Sequence, residues 1–132
     1  MPQKCVLVVD DDEDARLICR ILLTHHGYRV VEADNGEDGI AQAKALRPDL
    51  VIVDLRLPER DGIEVVRALR DRDSGKCPPI VLFTADVFGG RELLVAEGLA
   101  GLLIKPCPTQ RMLQEVERLI GPALLDADGG PQ

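Results

Sequence analysis

Five polar side chains of this chain stand where short apolar runs end, and their types could together perform phosphoryl chemistry. Asp10 and Asp11 follow one apolar run, Asp54 follows a second, Thr84 ends a third and Lys105 ends a fourth. Clustered carboxylates are good ligands for Mg²⁺, and a further carboxylate can act as a nucleophile. A hydroxyl and an ammonium can hold the remaining phosphoryl oxygens. The set therefore indicates metal-assisted phosphoryl transfer, provided that the fold brings the five residues together.

The apolar runs alternate with amphipathic stretches five times. We predict strands at 5–9, 28–33, 50–54, 79–84 and 101–105, and helices at 13–26, 36–46, 63–70, 88–97 and 109–120. Three of the strands are nearly continuous apolar runs, as a parallel sheet covered on both faces requires. Five such units predict an α/β fold with an open, doubly wound, five-stranded parallel sheet, (βα)5. Ligands bind such sheets at the carboxyl ends of the strands, where all five polar residues lie.

The helical periodicity also predicts which residues face the core. In the first helix these are Ala15, Ile18, Cys19 and Leu22; in the last they are Met112, Val116, Leu119 and Ile120. Asp12, Glu13 and Asp14 are assigned to the start of the first helix, because acids stabilise helix N-termini.

Composition limits the class of protein. The 132 residues predict one domain at 1–121, followed by a flexible tail or the start of a linker at 122–132. The net charge of −7 argues against direct nucleic-acid binding, and no apolar run approaches the roughly 18 residues of a membrane span. We expect a cytoplasmic protein whose cysteines are small buried hydrophobes, since they lack metal-ligand spacing; they are Cys5, Cys19, Cys77 and Cys107.

The motifs as a set resemble the receiver domain of two-component response regulators, over the chain up to about Ile120. They are VVDD (8–11), NGEDGI (35–40), PDLVIVDLRLPERDG (48–62), FTA (83–85) and LIKP (103–106). The resemblance implies the flavodoxin-like strand order 2-1-3-4-5.

The resemblance also implies a role for each site residue. Asp54 resembles the phospho-acceptor, and Asp10 and Asp11 resemble the acidic pair that binds Mg²⁺ together with Asp54 and the backbone carbonyl of Arg56. Thr84 resembles the hydroxyl that closes on the phosphoryl group. Lys105 resembles the phosphate-contacting lysine, joined to the following proline by a cis peptide bond.

By the same resemblance, the chain is a phosphorylation switch that assists its own phosphorylation and dephosphorylation, not an enzyme with an outside substrate. The phosphoryl donor would be a sensor histidine kinase or a phosphotransfer protein. The downstream target would be a protein that binds the fourth helix, fifth strand and fifth helix of a monomer or weak dimer. The chain departs from the family at Leu102, where an aromatic switch residue is common, and at Cys107, where an aromatic is also usual.

Two other classes of function are weighed against this one. A phosphatase resembling the haloacid dehalogenase superfamily would use Asp10 and Asp12 as its D-x-D pattern, but Asp14 stands where Thr or Val is expected and Asp54 would have no role. An interaction module that has lost phosphorylation is the third class. The presence of all five site residues argues against it, but Leu102 keeps this alternative open.

Overall fold

The computed structural model of the chain describes residues 3–58, 61–70 and 77–122, and these form a parallel sheet with helices on both faces. The predicted elements are all present, with boundaries within two residues of those expected. Two parts of the sequence-based interpretation lie outside the described residues. They are the Glu59–Arg60 pair in the third motif and the tail beyond Pro122. The elements are β1 (Cys5–Val9), α1 (Glu13–His25), β2 (Arg29–Ala33), α2 (Gly36–Leu46), β3 (Leu50–Val53), α3 (Gly62–Arg70), β4 (Ile80–Thr84), α4 (Val87–Glu97), β5 (Gly101–Ile104) and α5 (Thr109–Ile120).

The strands pair in the order β2-β1-β3-β4-β5, and all four pairings are parallel. This confirms the predicted order. Val9, at the end of β1, pairs with Ala33 on one side and Val53 on the other. Because every strand runs in the same direction, the residues that follow β1, β3, β4 and β5 emerge at one edge of the sheet.

The core has two layers, one on each face of the sheet. Val6 and Val8 of β1 pack with side chains from α1 and α5, whereas Leu7 and Val9 pack with side chains from α2, α3 and α4. Every residue of β1, β3 and β4 is buried. Full burial of an aliphatic side chain stabilises a fold by about 1.5–3 kcal/mol, so these strands form a rigid base for the loops at their ends.

The predicted buried face of α1 was wrong by part of a turn. Ala15 and Cys19 are buried as expected, but Ile18 is 47% exposed and Leu23 is in the core instead, with Leu22 only partly buried. The helix is apolar at 17, 18, 21, 22 and 23, so its periodicity alone did not define a single face. In α5, Met112 and Val116 are buried, and Leu119 and Ile120 are partly buried.

The cysteines are only partly as predicted. Cys5 and Cys19 are buried, but Cys77 is exposed and Cys107 is half-buried, and no disulfide joins the four, all of which lie in the described residues. None of the helices within the described ranges is long and apolar enough to cross a membrane.

Three helices begin at side chains that accept a hydrogen bond from the first helical turn. Asp12 caps α1 by accepting from the Asp14 amide at 3.1 Å, which agrees with its assignment to the helix start. Asn35 caps α2, and Asp86 caps α4 by accepting from the Gly89 amide at 2.9 Å. Such caps satisfy backbone donors that the helix leaves without partners. The caps of α1 and α4 lie in the loops that surround the candidate site.

Candidate functional site

The fold brings the five predicted residues to the carboxyl edge of the sheet. Asp10 and Thr84 are each 1% exposed and Asp54 is 7% exposed, so three polar groups are buried at this edge. Lys105 is partly buried and Asp11 is exposed. Buried polar groups require partners, because an unsatisfied group costs free energy. The partners of these groups define the site.

Lys105 connects the two buried carboxylates. Its Nζ donates to Asp10 Oδ2 at 2.7 Å and to Asp54 Oδ2 at 3.0 Å, and it lies 5.1 Å from the ring centroid of Phe83. The Lys105–Pro106 peptide bond is cis, as the resemblance implied. The lysine therefore neutralises part of the charge that Asp10 and Asp54 place in the same small volume.

Asp10, Asp11 and Asp54 form a group whose oxygens fit a hard divalent cation. One carboxylate oxygen from each residue lies within 4.8 Å of the other two. Mg²⁺ prefers oxygen ligands, is usually bound by one or two carboxylates, and keeps several waters or phosphate oxygens. Asp10, Asp11 and Asp54 supply oxygens of this kind, one carboxylate more than the usual number, and Asp11 lies on the exposed side of the group.

The electrostatics of the buried pair follow from burial and from the lysine. Burial raises the pKa of Asp10, although hydrogen bonds from Lys105 and from the Asp12 amide act in the opposite direction. Burial would lower the pKa of Lys105, but its hydrogen bonds to Asp10 and Asp54 outweigh that effect and raise it. The ammonium is thus held in its charged form between two carboxylates.

Backbone amides hold two further polar atoms of the site. The Arg56 amide donates to Asp54 Oδ1 at 3.0 Å, and the Asp86 amide donates to Thr84 Oγ1 at 3.2 Å. These groups line an open cleft of about 540 Å³ beside Lys105. Asp54, the Thr84 hydroxyl and the Lys105 ammonium all line this cleft.

Comparison with known proteins identifies the family. The model of the response regulator receiver domain matches residues 6–117. The chain belongs to this family. It is 31% identical over 121 residues to the polar-differentiation response regulator DivK of Brucella anthropi, a match that covers 91% of this chain and 98% of the relative.

Two solved structures show the same fold at similar identity. The chemotaxis protein CheY4 of Vibrio cholerae is 30% identical with a TM-score of 0.82, covering 89% of this chain and 99% of that one. The receiver domain of the sensor histidine kinase PA1611 of Pseudomonas aeruginosa is 29% identical with a TM-score of 0.82, covering 91% of this chain and 99% of that one. That structure holds a magnesium ion coordinated in the active-site cleft.

Membership of the receiver family decides against the phosphatase alternative. That alternative gave Asp54 no role, yet in this receiver domain Asp54 lies beside Asp10 and shares Lys105 with it. Receiver domains are signalling switches of two-component systems, and this family binds Mg²⁺ in its active site.

Two residues of the site were not predicted from the sequence. Gly62 begins α3, and a Cβ built on it would lie 2.6 Å from both the Asp54 carbonyl oxygen and Leu55 Cα. Only glycine allows α3 to approach the backbone of the phospho-acceptor candidate so closely. Asp86 joins the cleft through a 2.7 Å ion pair with Arg56. Its position directly before an apolar helix was a capping signal, but the pairing depends on how two loops meet in space.

Leu102, which stands where an aromatic residue is common in the family, packs against the backbone of α4. Leu102 is half-buried and packs against the layer formed by α2, α3 and α4. A Cβ on Gly90 would lie 2.8 Å from Leu102 Cδ1 and 3.2 Å from Thr84 Cγ2, so the backbone of α4 lies directly over both side chains. Leu102 therefore occupies an inward position in this structure.

Proposed function

We propose that this receiver domain accepts a phosphoryl group on Asp54 with Mg²⁺ bound by Asp10, Asp11, Asp54 and the backbone carbonyl of Arg56. The observation that supports it most is the shared environment of Asp10 and Asp54, whose Oδ2 atoms both accept from Lys105. A carboxylate that is ionised at neutral pH needs no general base to act as a nucleophile. The phosphoryl donor is the phospho-histidine of a sensor kinase or of a phosphotransfer protein.

In the transfer, a carboxylate oxygen of Asp54 forms a bond to phosphorus while the phosphorus–nitrogen bond to the donor imidazole breaks. Mg²⁺ would supply positive charge to the phosphoryl oxygens as the transfer proceeds. Lys105 leaves Asp54 Oδ2 to contact a phosphoryl oxygen, and Thr84 donates its hydroxyl to another. Hydrolysis of the acyl phosphate returns the carboxylate and releases inorganic phosphate.

Phosphorylation replaces the single negative charge of the Asp54 carboxylate with a group of about −1.5 to −2 charge, so the site gains about −0.5 to −1 unit. The resulting movement of Thr84 and Lys105 changes the surface formed by α4, β5 and α5, to which a downstream protein binds. The domain, residues 1–121, acts in the cytoplasm as a monomer or weak dimer. It is a switch that assists its own phosphorylation and dephosphorylation, without turnover of an outside substrate.

The proposal is tested with phosphoramidate, a small phosphoryl donor that has the phosphorus–nitrogen bond of phospho-histidine. We expect intact-mass analysis to find one phosphoryl group when Mg²⁺ is present and none after chelation. Asp54→Asn should remove the adduct, whereas the control Asp61→Asn, which changes an exposed acid outside the group of three, should keep it. An adduct of equal yield on Asp54→Asn would overturn the assignment. Absence of any adduct on the unaltered protein would favour the alternative of an interaction module that has lost phosphorylation.

A further inference from the structure

An ion pair joins the two loops that form the sides of the cleft. Arg56 follows Asp54 by two residues, Asp86 follows Thr84 by two residues, and the Arg56 Nη2 atom lies 2.7 Å from Asp86 Oδ2. Both residues line the cleft. The pair therefore connects the loop after β3 with the loop after β4 directly beside the candidate phosphorylation site.

Each member of the pair is also tied by its backbone to a site residue. The Arg56 amide donates to Asp54 Oδ1, and the Asp86 amide donates to Thr84 Oγ1. A change at Asp54 or Thr84 would therefore move the ion pair with it.

The two carboxylate oxygens of Asp86 have different partners, one in α4 and one at the cleft. Its Oδ1 accepts from the Gly89 amide at 2.9 Å and so caps α4, while its Oδ2 holds Arg56. A Cβ on Gly89 would lie 2.4 Å from Asp86 Oδ2, so glycine leaves the space that this oxygen occupies. The cap and the ion pair together hold the pKa of Asp86 below its usual range. The first turn of α4 is thereby fastened to Arg56.

The guanidinium of Arg56 is able to change partners. Its side chain is 77% exposed, so it moves without disturbing the core. A phosphoryl group on Asp54 would present a larger charge and more acceptor oxygens than Asp86 does, in the same cleft. Leu102 has no polar edge that would favour an exposed position. A change of partner by Arg56, from Asp86 to the phosphoryl group, would instead link the site to α4 without an aromatic switch residue.

We propose that the Arg56–Asp86 ion pair is a latch that holds the first turn of α4 in the unphosphorylated state, and that it opens when Arg56 turns to the phosphoryl group on Asp54. The latch rests on the proposed function, since it needs phosphorylation at Asp54. Arg56 and Asp86 are thus positioning residues that act on α4.

Hydrogen exchange of α4 tests the latch in the full chain, with and without beryllofluoride and Mg²⁺ as the phosphoryl mimic. Asp86→Asn keeps an oxygen to cap Gly89 but removes the charge that attracts Arg56. We expect exchange at residues 87–91 of the variant without mimic to be about two- to fivefold faster than in the unaltered protein, the range that an exposed ion pair supports. With the mimic, the two proteins should exchange alike, because the latch is already open.

Glu97→Gln is the matched control. Glu97 pairs with Arg67 of α3 at 3.2 Å. Like Asp86, it ties α4 to an exposed arginine, but it lies at the C-terminal end of the helix. This variant should keep the full response of residues 87–91 to the mimic. If Asp86→Asn exchanged faster than the unaltered protein by the same factor with and without the mimic, Asp86 would act only as a structural cap and the latch would be overturned. No change at residues 87–91 of the unaltered protein on addition of the mimic would also overturn the latch, whereas absence of the phosphoramidate adduct on Asp54 would contradict the proposed function.

Discussion

Removal of one carboxylate from the acidic group should abolish the stabilisation that Mg²⁺ gives to the fold, whereas removal of its neighbour should not. The two substitutions are Asp11→Asn and Asp12→Asn, which make the same change of charge one residue apart. Asp11 belongs to the group of three carboxylates. Asp12 instead caps α1 through its Oδ1 atom, and asparagine caps a helix equally well.

The size of the stabilisation by Mg²⁺ can be estimated from the spacing of the carboxylates and from the free energy of binding. Two carboxylate charges at the 4.8 Å limit of the group repel by about 3.5 kcal/mol at an effective dielectric constant of about 20. Lys105 pairs with Asp10 and Asp54 but not with Asp11, so the repulsion that Asp11 experiences remains. A bound cation relieves this repulsion. At a Mg²⁺ concentration ten times Kd, binding to the native state alone adds about 1.4 kcal/mol to the free energy of unfolding. For a domain of this size, that corresponds to a rise in Tm of about 5 °C.

Thermal unfolding followed by circular dichroism measures this rise, with NaCl used to match ionic strength in the metal-free sample. We expect the unaltered protein and Asp12→Asn to gain about 5 °C, and Asp11→Asn to gain less than about 1 °C. The gain should shrink as the pH falls toward the raised pKa of Asp10, because the metal requires the ionised carboxylate. If Asp12→Asn lost the gain and Asp11→Asn kept it, the assignment of the acidic run would be wrong by one residue.

Three further substitutions or comparisons test other parts of the site. Lys105→Ala should fold but lose the NMR shift changes across α4 and α5 that beryllofluoride causes in the unaltered protein. The reason is that no ammonium would link the phosphoryl oxygens to the end of β5. If the variant kept the shift changes of the unaltered protein, the role of Lys105 would be refuted. Crystal structures with and without beryllofluoride should both show Leu102 inward, and a buried-to-exposed rotamer change with 84–90 fixed would contradict this. Gly62→Ala should lower the free energy of unfolding by about 1–3 kcal/mol in urea titrations, because its Cβ would meet the backbone of Asp54 and Leu55; a loss below about 0.5 kcal/mol would show that α3 adjusts freely.

The sequence was sufficient to predict the fold class and the convergence of the site because both follow from one pattern, whereas the strand order came from the resemblance to the receiver family. Continuous apolar strands require a parallel sheet, and a parallel sheet places every strand end at one edge. The positions of Asp10, Asp54, Thr84 and Lys105 could therefore be predicted without knowing any distance.

The parts that the sequence did not predict depend on contacts between elements. In α1, apolar residues occur on more than one face, and contact with the sheet selects Leu23 over Ile18. Glu115 lies in a buried position of α5 that looks unsuitable for a carboxylate. It is accommodated because Gly101 has no side chain and because Arg118 donates to it at 2.6 Å. The contact between Gly101 in β5 and Glu115 in α5 joins two separate elements and leaves no periodic signal, unlike the i,i+3 pair of Glu115 with Arg118.

The location of the phosphoryl group tests the central claim most directly. After reaction with phosphoramidate and Mg²⁺, borohydride reduction converts an aspartyl phosphate to homoserine, and peptide mass analysis then identifies the altered residue. The account predicts homoserine at position 54 alone. Homoserine at position 10 or 11, with Asp54 unchanged, would contradict it.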